Sequence, residues 1–540
     1  MTRLALLAAL ALAAPAAAQI SAERIKADVQ TLASDEFAGR GPGQIGEEKT
    51  IEFLVEQFGK AGLAPGGETG GWYQDVRLIR YDRGPVTAAA SVGGTTLPLV
   101  AGKDITAASR ILGETRLTDA PLVFVGYGIA APEIGWTGFA GANLKGKVAV
   151  FLSNDPDFEA ATPGPFGGRT LVYAGRFGAK AEAAFKAGAA AVLVVHETAA
   201  ASYPWSQVGN GDSLPSFGLD SGTPDANPAG LRGWLHRDTA IELFERAGLD
   251  FEALSVAARD GGFVPTPIGS ATLSASFSTT ATPLVSRNVV ALLKGSKHPD
   301  ETIVYGAHWD ANGLADPDAT GDRIRNGAVD NATGTATLVE IARAFAAGPK
   351  PERSILFIAY TAEEKGLLGA EWYAAHPLRP LETTVAAFNL DPHVVLGPTR
   401  NLDLIGGGRT PMEDDLRRVA QAQGLRVDDE TIPEAGWYFR SDHFAFAKKG
   451  VPTVYFRAGR DLVTGGLAAG DAGANAYNEA RYHQTTDEFD PAWDFTGAAQ
   501  EGRVAYALGA ELANSRRWPG WNDGVEFKAV RDRSAAARHD

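Results

Sequence analysis

Several short segments of this 540-residue chain concentrate side chains able to bind a metal or move a proton. His308 follows the apolar run Ile303-Val304-Tyr305-Gly306-Ala307. Glu363 and Glu364 follow the run Ile355 to Tyr360, and Asp391 follows Ala386 to Leu390. Each run reads as a strand, and in open α/β sheets the ligand crevice lies outside the carboxyl ends of the strands. Three separate segments therefore deliver imidazole or carboxylate groups to one edge of one sheet. Imidazole nitrogen and carboxylate oxygen suit zinc, and the chain has no cysteine to offer a thiolate or a disulfide. Asp310, two residues after His308, is placed to orient the imidazole as a carboxylate behind the ligand. Asp330 lies in Gly327-Ala328-Val329-Asp330-Asn331-Ala332-Thr333-Gly334. A carboxylate in such a glycine-flanked turn can approach two metals at once.

The elements that must position these groups alternate along the second half of the chain. Strands are expected at 288–293, 302–307, 354–360, 385–390, 402–405 and 452–456, with helices at 332–346 and 367–375. This alternation predicts an α/β fold with a mostly parallel sheet flanked by helices. Residues 21 to about 65 read as helical around a loop at Gly39-Arg40-Gly41-Pro42-Gly43. Gly41, Gly43 and Gly46 match the dinucleotide-binding glycine pattern, but no strand precedes them, so the match fails. Between 115 and 285 the character changes. Strands at 121–125, 147–152 and 190–195, a helix at 177–187 and a Gly-, Ser-, Thr- and Pro-rich stretch from 200 describe an inserted β-rich α+β domain. The expected division is 1–18, 19–114, 115–285 and 286–540.

In order and spacing, Gly306-Ala307-His308-Trp309-Asp310, Gly327 to Asn331, Thr361-Ala362-Glu363-Glu364-Lys365-Gly366, Asn389-Leu390-Asp391, Ser441-Asp442-His443 and Tyr482-His483-Gln484-Thr485-Thr486-Asp487 resemble the motifs of the co-catalytic di-zinc aminopeptidase family. That family is related to glutamate carboxypeptidases, glutaminyl cyclases and transferrin-receptor ectodomains. The resemblance covers about 21–110 and 287–512, and 115–285 resembles the protease-associated domain that many members carry. It implies a zinc-exopeptidase fold of the phosphorylase/hydrolase-like type and two zinc ions. It implies that Asp330 bridges them, that His308 and Asp391 complete one site, and that Glu364 and His483 complete the other. Glu363 is then the general base, activating a zinc-bridging water, and Asp310 the partner behind His308. Paired ions of this kind sit about 3.5–4 Å apart and stabilise attacking and leaving oxygens. Tyr482 is a candidate oxyanion donor, with aromatic packing as the alternative. Arg440 is a candidate contact for the substrate's carboxyl or carbonyl, with a structural salt bridge as the alternative. Pro392-His393 after Asp391 departs from the apolar residues more usual there. His196 reads as structural, His443 as a group behind the site or in packing, and His236, His298, His376 and His539 as surface residues.

The implied activity is removal of N-terminal residues from peptide substrates. Carboxypeptidase action of the glutamate-releasing type and glutaminyl cyclisation are the alternatives on the same scaffold. A binding module with a peptidase fold is the alternative outside catalysis; the full ligand set and the Glu363-Glu364 pair argue against it. A net charge of -15 with no Lys/Arg cluster argues against nucleic acid as a partner. Thr2-Arg3, the apolar run Leu4 to Ala14 and Ala16-Ala17-Ala18 form a three-part secretory signal ending at residue 18. The expected destination is periplasmic or extracellular. Without a cysteine for lipid attachment or a second long apolar stretch, no membrane anchor is expected. The sequence carries no signal for oligomeric state.

Overall fold

A computed structural model of the protein describes residues 20–538 except 140, 160–163, 213, 221–229 and 393. The secretory signal at 1–18, His393 and His539 lie outside the described residues. The first lobe is built on four strands: β1 (Thr266–Leu293), β2 (His298–His308), β3 (Arg353–Tyr360) and β4 (Thr384–Asn389). They lie in the order β1-β3-β2-β4. β3, β2 and β4 are mutually parallel, and β1 runs antiparallel to β3. The three parallel strands are buried on both faces, β2 from Thr302 onward and β3 and β4 at every residue. Continuous apolar runs of this kind are what parallel strands covered by helices require.

The covering helices are α1 (Ala22–Leu32), α2 (Ile45–Lys60), α3 (Gly334–Ala347) and α4 (Thr496–Ala513). Ile25, Val29 and Leu32 recur at three- and four-residue intervals, as do Ile51, Leu54 and Phe58. Each set therefore forms one apolar stripe, and both stripes enter the first core with Leu338, Ile341, Phe345 and Leu508. Ser21 caps α1, accepting the Arg24 backbone N–H at 3.2 Å. The α/β architecture expected from the alternation is the one observed.

A second core holds Leu122, Phe124, Val150, Leu193, Leu243, Phe244, Leu273 and Phe277. It also takes in Ala88, Ala90, Val92 and Leu99, because the hairpin Thr87–Val92/Thr95–Leu99 pairs with β1 ahead of residue 115. The Gly-, Ser-, Thr- and Pro-rich stretch from 200 contains, after a short helix at Trp205–Gly211, the helices Arg237–Arg246 and Phe251–Ala257. His236 and Asp250 accept N-terminal backbone N–H groups of these helices, so local capping outweighs the composition. Among the described residues one 13-stranded sheet joins the lobes. β1 carries it, pairing with Gly113–Phe124 at one end and β3 at the other. Parallel blocks thus sit at both ends of the sheet, with antiparallel pairing between them. The strand expected at 452–456 begins instead at Tyr455. Pro452 has no N–H to extend the ladder, and its carbonyl accepts from Ala387.

Candidate metal centre

β2, β3 and β4 all present their carboxyl ends to one cleft. His308 is the last residue of β2, Glu363 and Glu364 lie just past Tyr360, and Asp391 lies two residues past Asn389. Asp330 arrives from the turn ahead of α3, and His483 from the loop after Gly466–Ala480. His308, Glu363 and Asp391 form one cluster of potential ligands, and Asp330, Glu364 and His483 another.

Asp330 joins the clusters. Its Oδ1 lies 3.3 Å from Nε2 of His308, and its Oδ2 lies 3.3 Å from Nε2 of His483. Glu364 approaches His483 at 3.1 Å. Asp391 and Glu363 approach His308 at 3.9 and 3.8 Å. Gly327 makes the Asp330 turn possible. At φ +57° a Cβ there would lie 2.3 Å from the Asp330 carbonyl oxygen and 2.5 Å from Ala311 Cβ.

The groups behind the cluster are ordered by hydrogen bonds. The Asp310 backbone carbonyl lies 3.1 Å from His308 Nδ1, and its carboxylate lies 3.6 Å away. That carboxylate accepts the Glu363 backbone N–H at 3.0 Å. Ser441 donates to Asp391 at 2.5 Å, and Asn389 donates to Ser441 at 2.6 Å. Asp487 accepts the Val329 and Asp330 backbone N–H groups at 3.2 Å. Arg40 is wholly buried and donates to the carbonyls of Leu32, Trp309, Asn326 and Gly327 at 2.6–2.8 Å. One guanidinium thus ties the His308 strand end to the Asp330 turn. The sequence marked Arg40 only as part of a loop. The signal it held was an arginine between glycines, and Ala38, Gly39 and Arg40 all take positive φ.

The electrostatics follow from five carboxylates around two imidazoles. Burial opposes a charged His308, yet Glu363, Asp310, Asp330 and Asp391 together raise it well above the usual histidine range. His483 is likewise raised to about 10, against burial, by Glu364 and Asp330. Burial works against the Asp330 anion too, but both imidazoles hold it below the usual carboxylate range. Glu363 goes the other way, pushed well up by burial and by Asp442 and Asp391. Nε2 of His308 and Oε1 of Glu364 are buried with no hydrogen-bond partner. Orphaned ligand atoms in an N/O set, with excess negative charge, fit bound zinc.

Around the cluster the cleft is lined by Arg176, Trp437, Phe439, Arg440, Arg457 and Tyr482, and encloses about 220 Å³. Tyr482 is half-buried and stacks on His483 with ring centres 3.8 Å apart. Arg440 lies over Trp437 at 4.5 Å and over Tyr203 of the second lobe at 5.7 Å. His443 is buried between Tyr438 and Tyr455, where desolvation pushes it down to about 3. His196 packs among Tyr203, Trp205 and Trp234.

Residues 288–507 match the model of peptidase family M28. The M28 segment contains His308, Asp330, Glu363, Glu364, Asp391 and His483, and it bears out the resemblance drawn from the motifs. Over 109 residues the chain is 41% identical to a probable zinc metalloprotease of Pyrenophora teres f. teres (strain 0-1), covering 20% of this chain and 23% of that protein. Over 199 residues it is 32% identical to the probable glutamate carboxypeptidase LAMP1 of Arabidopsis thaliana, covering 35% of this chain and 26% of that protein. The chain thus spans about a quarter of the length of these curated relatives. The structure of an aminopeptidase from Aneurinibacillus sp. strain AM-1 aligns over 92% of this chain and 95% of its own, with a TM-score of 0.52 and 20% identity. That likeness is one of fold, and it extends beyond the M28 segment into the second lobe.

Proposed function

We propose that the protein is a zinc-dependent exopeptidase, specifically an aminopeptidase that hydrolyses N-terminal residues from peptides. The observation that carries the reading is Asp330, whose two carboxylate oxygens each face a different imidazole at 3.3 Å. This supports two zinc ions sharing Asp330, one held also by His308 and Asp391 and the other by Glu364 and His483. Zinc there would supply Lewis acidity and lower the pKa of water to about 7.

The chain's own groups supply the rest. Glu363 shares the cleft with the ligands, and the Asp310 carboxylate fixes its backbone. In this reading it takes the proton of the attacking water and returns it to the leaving amine. The Tyr482 hydroxyl donates to the developing oxyanion, and Arg440 contacts the substrate. The three-part signal at 1–18 supports export to the periplasm or medium. Among the described residues no helix is long and apolar enough to cross a membrane. The second lobe, read as a protease-associated domain, covers the cleft and favours short peptides.

The test is zinc-loaded protein with matched peptides, one with a free and one with an acetylated N-terminus, and product masses followed in time. Stepwise loss of N-terminal residues from the free peptide alone is expected. C-terminal cleavage of both would move the protein to carboxypeptidase action. Ring closure of N-terminal glutamine without cleavage would make it a cyclase, and inertness toward all peptides would leave a binding module.

A further inference from the structure

Two arginines in the cleft differ from the others around them. Arg457 is engaged: its guanidinium lies 3.9 Å from Asp391 and donates to the Tyr455 hydroxyl at 2.7 Å. Arg176, from the second lobe, and Arg440, from the first, have no such partners. Among the described residues neither guanidinium donates a hydrogen bond, and neither has a carboxylate within 4.0 Å. Both are half-buried. Aromatic faces hold them instead: Arg176 lies 5.7 and 5.6 Å from the rings of Phe439 and Phe444, and Arg440 lies over Trp437 and Tyr203. Stacking fixes the plane of a guanidinium while leaving its N–H edge open. Burial and the nearby Arg440 depress Arg176 below the usual arginine range. Two like charges that act on one another are thus kept partly desolvated, with no carboxylate of the described residues in salt-bridge contact with either.

Both arginines line the metal cleft beside Glu363, Glu364 and Asp391, and both also line the adjoining cavity of about 600 Å³ between the lobes. A peptide with its reacting bond at the metal cluster would extend past them into that cavity. We propose that Arg176 and Arg440 form a clamp for a carboxylate on the part of the peptide beyond the cleaved bond. The clamp is assembled only when both lobes are present. This rests on the peptidase reading above. The carboxylate has two sources, the C-terminus of a short peptide or an acidic side chain, and guanidinium recognises either.

The test uses zinc-loaded protein and two peptide pairs, Leu-Ala-Ala against its C-terminal amide and Leu-Glu-Ala-amide against Leu-Gln-Ala-amide. Cleavage gives kcat and KM. Titration calorimetry on the Glu363→Gln protein gives binding without turnover. A charge-assisted contact predicts about tenfold or greater preference for the carboxylate member, carried in KM and in binding. Preference in the first pair names the C-terminus, and preference in the second names the side chain. Arg176→Gln and Arg440→Gln should each shrink the ratio, the double variant should bring it to about one, and Arg440→Lys should keep part of it. Because each ratio is taken within one variant, a general loss of folding does not mimic the result. Equal cleavage and equal binding of both members of both pairs would overturn the clamp while leaving the peptidase reading intact. So would a preference that survives the double variant. No cleavage with an arginine-dependent binding preference would remove the peptidase reading and keep the clamp, and no cleavage with no preference would remove both.

Discussion

Replacing Arg40 by alanine tests how far one buried side chain holds the metal centre together. The change strands three buried carbonyls, those of Leu32, Trp309 and Asn326, while that of Gly327 keeps the Ala332 N–H at 3.1 Å. At about 2 kcal/mol for each buried group left unsatisfied, the gross loss is about 6 kcal/mol. Part is recovered, because the buried cation is itself costly: burial pushes the guanidinium from 12.5 down to about 10. That depression corresponds to about 3 kcal/mol that alanine no longer spends. The net expectation is a destabilisation of about 3 kcal/mol, concentrated where Trp309 and Asn326 flank His308 and Asp330. Zinc affinity should fall by about 10- to 100-fold, the range seen when groups behind a metal ligand are removed. The assays are thermal unfolding with and without zinc, and zinc retention against a graded chelator. An Arg40→Ala protein that melts with the wild type and holds zinc equally well would refute the reasoning.

Glu363→Gln should retain zinc and lose about 10²- to 10⁴-fold in kcat; near-normal turnover would remove Glu363 as the proton acceptor. Asp330→Asn should weaken both ions together in metal analysis, whereas loss of one alone would contradict a shared carboxylate. Asp487→Ala frees the Val329 and Asp330 backbone N–H groups, so zinc affinity should fall while far-UV circular dichroism stays unchanged; unaltered affinity would show that the turn holds itself. Lys180, buried in the second lobe, donates to the Leu152 carbonyl at 2.9 Å, and burial pushes its amine from 10.5 down to about 7. Between those pH values the unfolded chain binds the extra proton, so this group makes stability rise with pH across that window and penalises the fold below it. Lys180→Met should flatten that alkaline rise in melting temperature, and an unchanged slope would rule Lys180 out.

The metal-cluster residues were legible because they combine type with position. A histidine or acid just past an apolar run is visible before any folding is known, and His308, Glu363, Glu364 and Asp391 all sit there. Arg40 was not legible, because its partners are backbone carbonyls, which look alike in every sequence. Arg176 was hidden for another reason: its neighbours Phe439, Phe444 and Arg440 belong to the other lobe, and the crossing of the lobes is tertiary. The helices at 237–246 and 251–257 were masked by the turn-forming residues around them. β1 is expected only over 288–293, and its earlier part, where Leu273, Ala275 and Phe277 alternate into the core, lies in the same Gly-, Ser-, Thr- and Pro-rich stretch.

β1 is the feature with the widest consequence. Its 28 residues, at about 3.3 Å each, make about 90 Å of strand, and its ladder partners change from one lobe to the other along the way. A peptide linker would let the lobes swing; a hydrogen-bonded girder does not. Widening the gap between them would mean breaking rungs of the ladder, so the sheet itself resists opening of the cleft. The same girder makes the second lobe impossible to excise cleanly, since cutting it away would leave a long unpaired edge open to association with other chains.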